Sequence, residues 1–159
     1  MADFANKPLN YYVTGYGTGG TVTGVGRVLR RERPETRIIL SEPLNSQIVG
    51  KGRKQERDQS GSPSASHPDF EPHPIQGWTP DFIPLVLQEA IDKRYFDQLI
   101  PVKGSDGIAW SKKLAEKEGI FTGVSGGSSF AVTMEIAEKA KPGSVILCML
   151  PDTGERYLS

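Results

Sequence analysis

Short apolar runs alternate with a segment of helical periodicity over the first 43 residues of the chain. The run NYYVTG at 10–15 is aromatic and β-branched, and TRIILSEP at 36–43 is apolar, so each predicts a strand. Between them the pattern predicts a helix over 19–33, because apolar side chains recur there at helical spacing, at Val22, Val25, Val28 and Leu29. The order strand, helix, strand predicts a βαβ unit and therefore a parallel sheet.

The same alternation resumes towards the C-terminus, after a long polar segment. The pattern there predicts a short helix within 81–96, a strand over 98–104, a helix over 105–119, an extended piece at 120–125, a helix over 126–143 and a strand over 144–151. We therefore predict an α/β fold of three layers (αβα), in which helices cover both faces of a mostly parallel sheet. A length of 159 residues predicts a single domain over 1–159.

Local signals refine two of these elements. Ser105 or Asp106 is the expected N-cap of its helix, because a side-chain oxygen can accept from the N–H groups of the first turn, and Gly119 is the expected stop. The run SVILCMLP at 144–151 is apolar at nearly every position. We expect it to form a strand that is covered on both faces.

Residues 50–74 interrupt the pattern with mixed charge, followed by Gly, Ser and Pro and almost no apolar side chain. This composition predicts an exposed insertion loop at about 50–74. Within it, His67 and His73 flank Asp69 and Glu71, residue types that bind metal ions. The prolines beside each histidine disfavour a preformed cage, so we predict no metal site.

Charge and hydropathy exclude several classes of partner. Lys plus Arg and Asp plus Glu number 19 each, so no net field draws the chain towards nucleic acid or an anionic membrane. No apolar run approaches the roughly 20 residues that cross a bilayer, and MADFANKPLN lacks the pattern of a secretory signal. Cys148 is the single cysteine and cannot form an internal disulfide. We expect a cytoplasmic protein, or one in the soluble interior of an organelle.

The stretch GYGTGGTVTGVG at 15–26 follows a predicted strand, opens a predicted helix and contains the pattern G-x-G-x-x-G. With Glu42 at the end of the next strand, it matches the fingerprint of an NAD- or FAD-binding Rossmann domain. Thr18, Thr21 and Thr23 favour a different ligand, because the free oxygens of a phosphate monoester accept from hydroxyls as well as from backbone N–H groups. A glycine turn that serves only close packing is a third alternative.

Two further loops follow extended segments and are expected at the same carboxyl edge of the sheet. GVSGGSSF at 123–130 contains Ser125 ahead of a helix, where it lines a ligand crevice or acts as a plain helix cap. PDTGERY at 151–157 leaves the last strand and is typical of a β-turn. The sequence contains no recognised arrangement of nucleophile and base, so we assign no catalytic residue.

In this order, VTGYGTGGTVTGVG, SEP, IQGWTPDFIP, GVSGGSS and LPDTGERYLS resemble the C-terminal half of the cysteine synthase (O-acetylserine sulfhydrylase) family, which is pyridoxal-phosphate dependent and has fold type II. The resemblance is broken at 50–72, where the family is shorter. It implies that Ser125 hydrogen-bonds the pyridine nitrogen, a neutral contact that favours replacement at the β-carbon. It also implies a phosphate site formed by Gly17, Thr18, Gly19, Gly20 and Thr21.

Other positions match the family in part. Pro151 and Asp152 fall where the family passes beside the cofactor ring. Gly77 matches the first glycine of a substrate-side loop, but Trp78 and Thr79 stand where the family continues IGAG.

The reaction that the resemblance implies is β-replacement, in which sulfide displaces acetate from O-acetylserine to give cysteine. The family carries its Schiff-base lysine in an N-terminal half that has no counterpart here, and Lys7 is the only lysine ahead of the glycine loop. We therefore expect the chain alone to be inactive. The resemblance further implies an amino-acid substrate, a homodimer and serine acetyltransferase as a partner. Two alternatives stay open: a non-catalytic module that pairs with an intact synthase or with serine acetyltransferase, and the Rossmann domain.

Overall fold

A computed structural model of the chain describes residue 4 and residues 7–157, so both ends of the predicted domain, 1–3 and 158–159, lie outside the described residues. The elements are β1 (Tyr11–Gly15), α1 (Gly20–Glu32), β2 (Arg37–Pro43), α2 (Leu85–Asp92), β3 (Gln98–Val102), α3 (Gly104–Glu118), α4 (Val124–Lys139) and β4 (Ile146–Cys148), followed by a short 3-10 helix at Gly154–Tyr157. The strands predicted at 10–15, 36–43 and 98–104 and the helix predicted at 19–33 are confirmed, with small shifts at their ends.

The strands form one parallel sheet in the order β3-β2-β1-β4. Tyr11 of β1 lies opposite Arg37 of β2 on one side and opposite Ile146 of β4 on the other. Parallel neighbours need a crossover connection, and α1 provides it between β1 and β2, as the βαβ prediction requires. The carboxyl ends of β1 and β4 therefore meet at one edge of the sheet, where the loops that follow them can line a common cleft.

Successive side chains of the strands belong to two hydrophobic cores, one on each face of the sheet. Tyr12 packs in the core that contains Leu29 of α1 and Leu87 of α2. Val13, the next residue, packs in the second core with Val132 of α4. Helix α3 lies against α4. Helices thus cover both faces of the sheet, which confirms the predicted three-layer α/β fold.

The start of α3 differs from the prediction, whereas its end agrees with it. The N-cap is Lys103 and no side chain caps this helix, so the prediction of Ser105 or Asp106 as cap is wrong. Ser105 and Asp106 lie within the first turn of the helix, and Gly104, its first residue, packs directly against Pro74, where a side chain would clash. Gly119 ends the helix in the left-handed conformation, with φ of 68°. Of the helices that the structure describes, none has the length and apolar character needed to cross a bilayer.

β4 is shorter and more exposed than the sequence predicts. It covers only Ile146–Cys148 of the predicted 144–151, and Leu147 is 38% exposed. Because Leu147 is exposed on one face and its two neighbours are only half-buried, the prediction of a strand covered on both faces is wrong. Among the described strands β4 pairs only with β1, so it lies at the edge of the sheet. The extended piece predicted at 120–125 is reduced to one bridge between Thr122 and Thr153, because α4 already begins at Val124.

The segment 50–74, all of which the structure describes, contains no helix or strand beyond one antiparallel bridge. Most of its side chains are exposed, but His67 and Asp69 are buried, which the sequence did not indicate. Asp69 accepts from Lys51 Nζ at 3.2 Å and from Arg53 Nε at 3.1 Å. A polar loop can bury charged and polar groups in this way, because each buried group has a hydrogen-bond partner.

Candidate functional site

The loop between β1 and α1 brings backbone very close to neighbouring segments. Gly19 is the N-cap of α1 and has φ of 86°, in the left-handed region that glycine adopts without strain. A Cβ at Gly19 would also lie only 2.6 Å from Leu87 Cα. A Cβ at Gly17 would clash with the carbonyl oxygen of Gly77. The packing of the protein therefore requires these two glycines, whatever the loop binds.

Gly20 differs from both, because the protein leaves space around it. It is the first residue of α1 and is exposed, and the nearest atom to an added Cβ would be Thr18 Oγ1 at 3.7 Å, an ordinary contact. Packing within the chain thus gives no reason for a glycine here. Within the part of the chain that the structure describes, no side chain caps α1, so the N–H groups of its first turn are available to an external acceptor.

The three threonines of this loop have different environments. Thr18 and Thr21 are exposed, and neither hydroxyl hydrogen-bonds to another described residue. Thr23 is buried and its Oγ1 donates to the carbonyl oxygen of Val86 at 2.8 Å, which ties α1 to the start of α2. Thr18 and Thr21 can therefore bind a ligand, whereas Thr23 stabilises the fold.

Thr18 and Thr21 line a cleft of about 330 Å³ at the carboxyl ends of β1 and β4. Its other walls are the segment 76–78, the first turns of α4 and the segment that follows β4. Of the five predicted phosphate-site residues, Gly17, Thr18 and Thr21 line the cleft directly, while Gly19 and Gly20 form the entry into α1 beside it. Gln76 and Met149 also line the cleft, and the sequence did not single them out, because neither side chain indicates a ligand site by its type alone.

Ser125 lies in the first turn of α4, and its side chain faces the same cleft. The N-cap of α4 is Gly123 and makes no side-chain cap bond, so the reading of Ser125 as a plain helix cap is wrong. Ser125 is only 4% exposed, and its hydroxyl donates to Asp152 Oδ1 at 3.3 Å. The predicted β-turn segment at 151–157 therefore forms part of the site, since Pro151 and Asp152 both line the cleft.

Trp78 and its neighbours cover the glycine loop. The indole ring packs on the backbone of Gly15 so closely that a side chain at Gly15 would overlap it. Gly77 adopts φ of 80°, and the N–H of Thr79 donates to the carbonyl oxygen of Tyr16 at 2.8 Å. This hydrogen bond joins the segment that carries Trp78 to the glycine loop. Trp78 itself is 7% exposed.

Glu42, the acidic residue of the dinucleotide pattern, is fully buried. Its carboxyl group accepts from Tyr16 Oη at 2.7 Å, from the N–H of Gly50 at 2.9 Å and from the N–H of Val49 at 3.2 Å. Burial raises the pKa of this carboxyl above its ordinary value, against the effect of these hydrogen bonds. Both oxygens are occupied within the protein, so Glu42 is not placed to bind a ribose as a Rossmann domain would require.

The described residues contain no other chemistry-bearing cluster at the cleft. No lysine is among the described residues that line it. Within residue 4 and residues 7–157, no group of three or more His, Cys, Asp or Glu side chains is arranged to hold a metal ion. Both ring nitrogens of His67 have protein partners, the N–H of Asp69 at 3.2 Å and the carbonyl oxygen of Arg53 at 3.1 Å.

Comparison with known proteins places this geometry in a family context. A family model described as pyridoxal-phosphate dependent enzyme matches residues 1–152. The O-ureido-L-serine synthase of Streptomyces lavendulae is 43% identical over 159 residues, which are 100% of this chain and 43% of that protein. Cysteine synthase B of Campylobacter jejuni subsp. jejuni is 38% identical over 159 residues, 100% of this chain and 46% of that protein.

The fold is also found among solved structures. A crystal structure of O-ureido-L-serine synthase superposes with a TM-score of 0.84 and 44% sequence identity, and the match covers 99% of this chain and 44% of that one. The chain thus spans less than half the length of the relatives that it matches.

Proposed function

The chain belongs to the family of pyridoxal-phosphate dependent enzymes, and we propose that its glycine-rich loop holds the phosphate of that cofactor. The observation that carries the proposal is the start of α1, which has no side-chain cap, beside the hydroxyls of Thr18 and Thr21, neither of which has a hydrogen-bond partner among the described residues. A phosphate monoester can accept from such hydroxyls and from helix N–H groups at once. The proposed phosphate contacts are Gly17, Thr18, Gly19, Gly20 and Thr21.

We place the ring nitrogen of the cofactor at Ser125. This hydroxyl is buried, lines the same cleft as the phosphate loop and is held by Asp152. Trp78 packs on Gly15 and forms one wall of the same cleft. When bound, pyridoxal phosphate supplies an electron sink for bond changes at the α- and β-carbons of an amino acid.

The activity that we propose for the protein is β-replacement on an L-serine whose side-chain oxygen is activated, as in O-acetylserine. Two relatives support this class of reaction, because cysteine and O-ureido-L-serine both carry a heteroatom on the β-carbon. We further propose that the protein forms a homodimer and binds serine acetyltransferase. Size-exclusion chromatography with and without purified serine acetyltransferase tests both, and elution as a monomer that does not shift would contradict them.

Calorimetric titration of the 159-residue chain with pyridoxal phosphate tests the cofactor site. We expect saturable binding that weakens about tenfold or more in Thr18→Ala and in Thr21→Ala, since each loses a hydrogen bond to a charged group, worth about 1.5–3 kcal/mol. Ser105→Ala is the matched control, because it removes an exposed hydroxyl of α3 outside the cleft. Binding that is equally tight in all three variants would contradict the phosphate assignment.

The identity of the amino acid can be tested by binding as well. Trp78 lines the cleft and Trp110 does not, so a change in tryptophan fluorescence that disappears in Trp78→Phe reports occupation of the cleft. With pyridoxal phosphate bound, we expect L-cysteine or O-ureido-L-serine to produce such a change. Preference for the first supports sulfide as the nucleophile, preference for the second supports a ureido donor, and no response to either contradicts the proposed substrate class. Because no lysine lines the cleft among the described residues, we expect the chain alone not to turn over O-acetylserine.

A further inference from the structure

Tyr16 lies in the glycine loop, between β1 and α1, and is connected to residues on both sides of segment 50–74. Its Oη donates to Glu42 Oε2 at 2.7 Å, and Glu42 in turn accepts from the N–H of Gly50, where that segment begins, at 2.9 Å. The carbonyl oxygen of Tyr16 accepts from the N–H of Thr79, shortly after the segment ends, at 2.8 Å. One residue of the glycine loop thus connects to both ends of the segment.

The hydrogen bonds at Glu42 are shielded from water. Tyr16 is 2% exposed and Glu42 is fully buried, so water cannot replace a protein partner that either of them loses. Glu42 accepts from the phenol and from the N–H groups of Val49 and Gly50. Losing one partner leaves a buried polar group unsatisfied, so we expect these bonds to form and break together. A displacement of Tyr16 therefore also releases the start of the segment.

The same segment also contacts the part of the chain that supports the other end of the glycine loop. Arg57 Nη2 donates to the carbonyl oxygen of Ile83 at 2.6 Å, and the N–H of Ile83 donates to Gln55 Oε1 at 3.0 Å. Ile83 lies just before α2, whose Leu87 packs against Gly19. The segment is therefore linked to the first and to the last residue of the loop between β1 and α1.

We propose that Tyr16 is a positioning residue that couples the phosphate site to segment 50–74, so that a phosphate monoester bound in the glycine loop orders the segment. The bound phosphate restrains the loop, the restrained loop keeps the phenol of Tyr16 on Glu42, and Glu42 keeps Gly50 in place. By thermodynamic linkage, the ordered segment strengthens phosphate binding by the same factor. The inference rests on the phosphate site proposed above.

Hydrogen exchange measured by nuclear magnetic resonance tests the coupling. The probe is pyridoxine 5′-phosphate, which has an alcohol in place of the aldehyde and forms no covalent bond with lysines. We expect saturation with the probe to slow exchange of the Gly50 N–H at least about fivefold, the lower end of typical coupling between sites. The N–H of Ser144 is the reference, since it is also bonded within a loop, but before β4, at the edge of the sheet opposite the cleft. Its exchange should not change.

Matched variants separate coupling from general loss of stability. In Tyr16→Phe the phenol no longer donates to Glu42, and the slowing at Gly50 should be lost. Glu42→Gln should lose it too, because an amide keeps only one of the two acceptor oxygens that bind Tyr16 and Gly50. Ile136→Val is the control, since it weakens the core on the other face of the sheet and leaves these bonds intact, so the slowing should remain.

The outcomes distinguish the coupling from the phosphate site itself. Slowing at Gly50 that persists in a folded Tyr16→Phe or Glu42→Gln, as in the control, overturns the role of Tyr16. If the unmodified chain binds the probe in calorimetric titration but exchange at Gly50 is unchanged, the coupling is overturned whether or not the variants fold. Failure of the unmodified chain to bind the probe contradicts the proposed phosphate site and, with it, the coupling.

Discussion

Replacing Gly20 with alanine should stabilise the chain while weakening its binding of phosphate. Gly20 begins α1, its φ is not positive, and an added Cβ would meet nothing closer than Thr18 Oγ1 at 3.7 Å. At such a position Gly→Ala stabilises by about 0.4–1 kcal/mol, mainly because the unfolded chain loses conformational freedom. Gly19→Ala should have the opposite effect, since φ of 86° costs a non-glycine residue about 1–2 kcal/mol, before the clash with Leu87 is included.

The binding effect follows from the same geometry. The added methyl group of Gly20→Ala would lie beside the first-turn N–H groups of α1, in the space that the protein leaves empty. If a phosphate occupies that space, the methyl group displaces it from at least one charge-assisted hydrogen bond, worth about 1.5–3 kcal/mol, or about a 10- to 100-fold loss in affinity. Stability and affinity should therefore change in opposite directions in one variant.

Urea denaturation of the free chain measures the first quantity, and calorimetric titration with pyridoxal phosphate measures the second. Gly24→Ala is the control, because Gly24 also lies in α1 with nothing within 4 Å of an added Cβ, but outside the cleft lining. It should gain stability without losing affinity. If Gly20→Ala binds pyridoxal phosphate as tightly as the control does, the ligand does not occupy this space and the reasoning fails.

Four further predictions test the packing of the fold. Tyr16→Phe removes the phenol that donates to buried Glu42 and should lower the free energy of unfolding by about 1–3 kcal/mol in urea; no change would mean that the pair is not formed. Burial raises the pKa of Glu42 above 4.5, so the protonated carboxyl is favoured in the folded chain. The contribution of Glu42 to the free energy of unfolding is therefore greatest below pH 4.5 and is lost as the pH rises through the raised pKa. In Glu42→Gln this decrease in the free energy of unfolding with pH should be smaller. Cys148 is half-buried, and desolvation raises the pKa of its thiol from 9.0 to about 11. Its alkylation at pH 8 should therefore be about 100-fold slower than that of an ordinary thiol, and a fast reaction in the folded chain would contradict the raised pKa. Asp69→Asn should speed tryptic cleavage within 50–74, where Asp69 binds two basic side chains, whereas an unchanged digestion pattern would show that these pairs do not order the loop.

Most of the fold could be predicted because its interior strands and amphipathic helices have strong periodic signals. β2 is the clearest case, since six consecutive residues, from Ile38 to Pro43, are buried and the strand begins with the apolar run Ile38, Ile39 and Leu40. β4 shows the limit of the same signal. An apolar run predicts that a strand forms. Whether the strand lies at the centre or at the edge of the sheet depends on which other strands pair with it, and this pairing is set by contacts between residues distant in sequence.

The candidate site could be predicted only where a local motif carries the chemistry. Thr18 and Thr21 stand in the glycine loop, and Ser125 stands ahead of a helix, so all three were visible as polar groups at strand or helix ends. Gln76 and Met149 also line the cleft, but they come from segments that are far apart in the sequence, and neither side chain indicates a ligand site by its type alone. The pairing of Ser125 with Asp152 joins residues 27 positions apart, and no local pattern indicates it.

The G-x-G-x-x-G pattern was ambiguous because it specifies backbone conformation and not the ligand. In a dinucleotide site the acidic residue at the end of the second strand must reach the ribose, whereas here Glu42 is fully buried and its oxygens accept from Tyr16 and two backbone N–H groups. The phenol that donates to Glu42 belongs to Tyr16, which lies in the glycine loop. The same hydrogen bond therefore holds the carboxyl group away from the cleft and anchors the loop to β2. Burial of this carboxyl therefore argues against a dinucleotide, while the exposed hydroxyls of Thr18 and Thr21 favour a phosphate monoester.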